Sequence, residues 1–166
     1  MSKTTFHAVN LKRIAANIII LLIPSLVGFI SSRLTGDSSV VYNSMIKPPL
    51  APPAFIFPIV WIALYLVIGI ALLLVCRAPA DRGTRREALA YFFAQLFLNF
   101  LWPIVFFRLR MPFLAIFIEL ALWILTGITT VKFYKIKPAA GLLMLPYWLW
   151  VTFALYLNVG FWLLNR

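Results

Sequence analysis

The sequence predicts an all-α integral membrane protein, a bundle of five transmembrane helices. Apolar residues make up 64% of the chain and charged residues only 11%, too few polar groups to coat a water-facing surface. Stretches of about 20 residues almost free of charge recur along it, the length that crosses a hydrocarbon core roughly 30 Å thick. The basic residues fall mainly between these stretches rather than on one soluble module, so nucleic acid is not the expected partner.

The first span is predicted over about residues 14–32. Lys3, Lys12 and Arg13 precede it as they would a signal peptide, but the apolar run is too long for that, and no small-x-small cleavage site follows. Pro24 is expected to kink or break this helix, and Ser25, Gly28 and Ser32 form a small-residue stripe open to a close neighbour.

The connection over about residues 33–55 is the one long non-membrane element. It holds Pro48, Pro49, Pro52 and Pro53 in the run KPPLAPP, residues 47–53. Fixed φ at each proline, and extended backbone before it, predict a stiff polyproline-like strap. Such a strap serves either as a lid over the bundle or simply as a tether between two helices.

The second span, about 56–76, places Pro58, Trp61, Tyr65 and Gly69 on one helical stripe. The third, about 88–107, aligns Gln95, Asn99 and Trp102, and carries Ala90 and Ala94 as a small-xxx-small pair. The fourth, about 113–133, carries the one intramembrane acid, Glu119, in line with Trp123, Thr126 and Thr130. The fifth, about 139–164, aligns Tyr147, Trp150, Ala154, Asn158 and Phe161.

An amide or carboxylate facing lipid loses its hydrogen bonds at a cost of several kcal/mol, so Gln95, Asn99, Glu119 and Asn158 should face inward. Inward amides can merely staple helices together. Aromatic rings on the same faces favour a cavity instead, because flat rings with a few placed polar groups suit a planar apolar ligand.

Two classes of chemistry are poorly supported. The single cysteine, Cys76, forms no internal disulfide, and the single histidine, His7, precedes the first span, so no metal site and no Ser-His-Asp or Cys-His set can be assembled. Summed by side, ten basic residues accompany the amino terminus and five lie opposite. The positive-inside rule then predicts a cytoplasmic amino terminus in a bacterial inner membrane, with the long first connection outside.

Four blocks in order, IPSLVGF (23–29), YNSMIKPPLAPPAFIFPIVW (42–61), AQLFLNFLWPIVFF (94–107) and LPYWLWVTFALYLN (145–158), resemble the TspO/translocator-protein family. The resemblance covers most of the chain. It implies a single TspO-like five-helix domain, commonly a homodimer, and a membrane receptor or sensor for porphyrins such as protoporphyrin IX and haem and for other hydrophobic ligands. A role in tetrapyrrole regulation or transport goes with it. Carried over by residue, the ligand-binding positions are Tyr42, Trp61, Gln95, Asn99, Trp102, Tyr147, Trp150 and Ala154, under a lid that includes Lys47, Pro48, Pro52 and Pro53. No cofactor is obligatory, and porphyrin enters as ligand. An alternative implication is light-dependent degradation of protoporphyrin IX, for which Trp61 and Trp150 would be the catalytic residues. Val41, Leu50 and Phe55 depart from tryptophans that relatives often carry. No basic residue follows Tyr156 closely enough for the sterol motif of animal members.

Overall fold

The computed structural model describes residues 3–166, with side chains from Leu11 onward, so the side chains of Lys3 and His7 lie outside the described residues. Every regular element described is helical. The elements are α1 (Lys3–Thr35), α2 (Ser38–Ser44), α3 (Ile56–Arg77), α4 (Arg82–Pro103), α5 (Pro112–Ile136) and α6 (Pro138–Leu164). Among the described residues five helices, all but α2, are long and apolar enough to cross a membrane.

The five long helices close into a ring. α1 packs on α3 and α4, α3 continues to α6, α6 to α5, and α5 back to α4. Where α1 meets α3 the backbones nearly touch: a Cβ added to Gly69 would lie 2.1 Å from the Leu21 carbonyl oxygen. Only glycine permits that approach, because in lipid the closeness of packing, not a hydrophobic effect, holds helices together. Gly28 on α1 likewise receives the Tyr65 ring.

The core beneath the ring's centre gathers Ile68, Leu72, Phe92, Leu122, Phe133 and Met144, each buried. Phe92 and Phe133 stack with centroids 5.4 Å apart, joining α4 to α5. Above this layer runs a buried polar chain across three helices. Tyr65 Oη donates to Asn99 Oδ1 at 2.6 Å, Asn99 Nδ2 donates to Tyr147 Oη at 2.9 Å, and Tyr147 Oη donates to Gln95 Oε1 at 2.7 Å. Asn99 is thereby paired through both of its amide atoms and Gln95 through its carbonyl oxygen, while Gln95 Nε2 is buried without a partner.

At the end bearing the α3–α4 and α5–α6 connections, charged contacts tie the helices. Lys132 Nζ lies 2.7 Å from Glu87 Oε1, and Arg77 bonds Asn17 through its guanidinium. Asp81 caps α4 by accepting from Thr84 N at 2.9 Å, the usual way a helix start satisfies an orphan amide.

Two local expectations need correction. Helix α1 runs unbroken through Pro24; membrane helices tolerate proline because neighbouring groups re-satisfy the freed carbonyl. The irregularity comes instead after Pro103, where Ile104–Arg108 widens into a π-helical turn, with Leu109 N donating to Ile104 O at 2.9 Å. The first connection is not polyproline throughout. It begins with α2, capped by Asp37, and then folds a turn in which Ala51 N donates to Pro48 O at 3.2 Å. Pro49 and Leu50 are its central residues, and Leu50 has φ 65°, the left-handed value that a type II turn demands of its third residue and that usually selects glycine.

Two variants test this packing. Gly69→Ala should destabilise the bundle by about 1–3 kcal/mol despite alanine's better helix propensity, because its methyl must push α3 off the α1 backbone. Thermal unfolding in detergent reads it, and an unchanged or raised midpoint would refute the close approach. Tyr147→Phe should cost about 1–3 kcal/mol by leaving Asn99 Nδ2 and Gln95 Oε1 without partners in a dry layer. The same melt should show it, with the buried ring volume retained.

Candidate functional site

Directly above the polar chain the ring of helices opens into a cavity of about 700 Å³. Each wall follows from the helical stripes. α3 turns Pro58, Trp61 and Tyr65 inward, and α4 contributes Asn99 and Trp102. The π-helical turn re-aims the chain so that Phe106 and Phe107 join the wall. Glu119 and Leu122 come from α5, and Ala154, Leu157, Asn158 and Phe161 from α6. α1 supplies only small residues, Gly28, Ser31, Ser32 and Thr35, so the bulk of the aromatic surface lies opposite it.

The rings are arranged in contact. Trp61 stacks on Tyr65 at 5.4 Å, and Trp102 on Phe106 at 5.2 Å. At the mouth Tyr42 of α2 meets Phe57 and Phe161 edge-on at 5.1 and 5.3 Å. Tyr42 is buried; its hydroxyl donates to Pro52 O at 2.6 Å, and burial pushes its phenol above the ordinary value, so it stays a neutral donor. α2 and the second half of the strap, Pro53, Ala54 and Phe55, complete the roof.

The strap's first half does something different. Pro48 is buried against Gly160 of α6, where an added Cβ would come within 2.6 Å of the proline ring. Tyr156 Oη donates to Pro49 O at 2.9 Å, and Asn165 brackets Ile46, accepting from its N–H at 2.8 Å and donating to its carbonyl at 3.0 Å. These bonds fasten the strap to the last helix. Lys47 lies over the Tyr42 ring, 5.3 Å from its centroid, on the outer side.

Among the residues that sequence reasoning singled out, Tyr42, Trp61, Asn99, Trp102 and Ala154 line the cavity, and Pro53 alone of the four lid residues does so. Gln95 and Tyr147 lie one layer deeper, bound to each other beneath the floor. Trp150 stands behind the wall, its ring 6.1 Å from Phe57 and its Nε1 buried. Leu50 is 81% exposed and outside the site. The cavity also recruits residues outside the expected set. Phe57, Phe106 and Phe107 were hidden among many phenylalanines, whereas Glu119 and Asn158 were already marked by polarity at depth. Among the described residues no cluster of three or more His, Cys, Asp or Glu side chains stands ready to hold a metal ion.

The chemistry available is that of recognition. The lining is predominantly apolar and aromatic, with a carboxyl, three carboxamides, hydroxyls and two indoles set into it, and its volume falls within the roughly 300–1,000 Å³ typical of small-molecule sites.

Comparison with known proteins follows this geometry. Residues 20–163 match the model of the TspO/MBR family. The chain is 37% identical over 157 residues to the tryptophan-rich protein TspO of Archaeoglobus fulgidus, covering 94% of this chain and 99% of that one. It is 35% identical to the tryptophan-rich protein TspO of Chlorobaculum tepidum, over 80% and 84% of the two chains. With the translocator protein of Bos taurus it shares 32% identity over 87% of each. Five membrane-length helices and a family match across nearly all of them place this multi-pass membrane protein in the TspO/MBR family.

Proposed function

We propose that the chain is a membrane receptor that binds porphyrins, protoporphyrin IX and haem among them, and other flat hydrophobic molecules in the cavity under the strap. One observation carries this reading: a cavity of about 700 Å³ walled by Trp61, Trp102, Phe106 and Phe161 and roofed by Tyr42 and Phe55. Flat rings stack favourably on such walls, each aromatic contact contributing about 0.5–1.5 kcal/mol beyond its buried area. Among the described residues no imidazole faces the cavity, so none of them offers iron a nitrogen ligand there. Metal-free porphyrin and haem should therefore bind alike. By the charge bias the strap and cavity mouth face away from the cytoplasm in a bacterial inner membrane. The outward-facing Ala90 and Ala94 of α4 are the natural contact for a homodimer.

A second reading is light-driven breakdown of bound protoporphyrin IX by dioxygen, with the ring as photosensitiser. The position of Trp61 favours it, because an oxidisable indole in the wall would touch the ring. Trp150 stands one layer back, behind Phe57.

The strap is tested by paired substitutions. Phe55→Ala should weaken protoporphyrin IX binding about tenfold by opening the roof, whereas Leu50→Ala should leave it within about twofold because that side chain points to solvent. Absorbance titration of purified protein decides between them; equal effects would mean that the strap is a tether only. For the second reading, illuminated wild-type protein should lose Soret absorbance while a dark control keeps it. Trp61→Phe should slow that loss at least about tenfold with binding retained, since phenylalanine preserves most of the stacking surface. Trp150→Phe should slow it less. No light-dependent loss in wild type would dismiss the enzymatic reading and leave the receptor intact.

A further inference from the structure

The cavity contains a polar feature that stacking does not use. Asn158 is 1% exposed and lines the cavity, yet neither its Nδ2 nor its Oδ1 has a hydrogen-bond partner. The contrast with Asn99 is direct: that amide, one helix away, is satisfied through both of its atoms by Tyr65 and Tyr147. Buried carboxamides are nearly always paired, because leaving both donor and acceptor bare in a dry site is unfavourable.

Glu119 shares this corner. It is 1% exposed and lines the same cavity. The antiparallel register of α5 and α6 is fixed by Trp123 Nε1 donating to Thr152 Oγ1 at 2.8 Å and by the Phe113 and Trp162 rings at 5.1 Å. That register sets Glu119 and Asn158 within about one helical turn of each other. Across the cavity, Trp102 Nε1 is a further buried donor without a partner.

We propose that Asn158, assisted by Glu119, is a recognition subsite that selects flat apolar ligands presenting an N–H donor and a carbonyl acceptor on one edge, as a secondary lactam does. A primary carboxamide offers the complementary edge, N–H beside C=O, so the two close a pair of parallel hydrogen bonds. Glu119 supplies an additional oxygen acceptor for a donor nearby, and the aromatic walls hold the rest of the ring system. The subsite rests on the cavity being a ligand site, as proposed above, and adds a polar selectivity to it. A site with orphaned polar groups rejects a ligand that cannot pair them far more strongly than an apolar pocket rejects one added methyl group.

The test uses a matched pair of flat tricyclic lactams, 6(5H)-phenanthridinone and its N-methyl derivative, which differ in the N–H and little in stacking surface. Each is titrated into the full chain in nanodiscs and followed by quenching of tryptophan fluorescence, with protoporphyrin IX titrated alongside. Wild type should bind the N–H lactam at least about tenfold tighter than the N-methyl form, and Asn158→Leu, of similar volume, should erase that preference while still binding the N-methyl form. Circular dichroism melts confirm that the variant is folded, and the wild-type comparison stands without it. Equal affinity of wild type for both lactams, or binding of protoporphyrin IX with neither lactam, overturns the subsite and leaves the cavity reading standing. Failure of all three ligands to bind overturns the cavity reading itself, and the subsite with it.

Discussion

The hydrogen-bonded run from Tyr65 through Asn99 and Tyr147 to Gln95 is the constraint on which the rest of this bundle depends. A bilayer offers no water to repair a broken polar contact, so two amides at depth are tolerable only if their partners are fixed in place. Fixing them sets the rotation of α3, α4 and α6 about their own axes. Once those rotations are set, Trp61, Trp102 and Ala154 are carried round to the same side, and the layer above has nothing left to fill it. The cavity is thus a product of the floor. Side chains that hydrogen-bond one another below leave the ring of helices free to stay open above.

The roof obeys a different economy. A connection of some twenty residues in water would ordinarily wander, and ordering it costs about 1–2 kcal/mol per residue. Here α2 takes up part of it, the prolines restrict more, and bonds to Tyr156 and Asn165 anchor the remainder on α6. The turn at Leu50 runs against this trend, since a branched residue in a left-handed conformation is unfavourable. It reverses the chain between the anchored half of the strap and the half that covers the cavity.

Much of this was legible in the sequence because helical period and membrane burial are blunt signals. Stripes at three- and four-residue spacing identified the inward faces of α3, α4 and α6, and Glu119 and Asn158 could only point away from lipid. What escaped notice depends on choices between neighbours. Nothing in the spacing says that Tyr147 pairs with Gln95 below the cavity instead of lining it, or that Phe57 stands in front of Trp150. The helix α2 is only about two turns long with no apolar period to betray it, and the positive φ of Leu50 lacks the glycine that would announce it. The π-helical turn had only Pro103 as a signal, which was overshadowed by Pro24, where a break seemed due and the helix runs on. A single unpaired amide is invisible from sequence altogether, because it is defined by the partners it lacks.

The bracket formed by Asn165 on Ile46 has a practical side. It makes the final residues of α6 part of the fastening of the roof, so the carboxyl end of the described chain emerges beside the cavity mouth. A purification handle or fluorescent fusion joined directly after Arg166 would sit against the strap and compete for that bracket. Joined at the amino end, the same handle would lie across the bilayer from it. Reagents for handling this protein are best attached there.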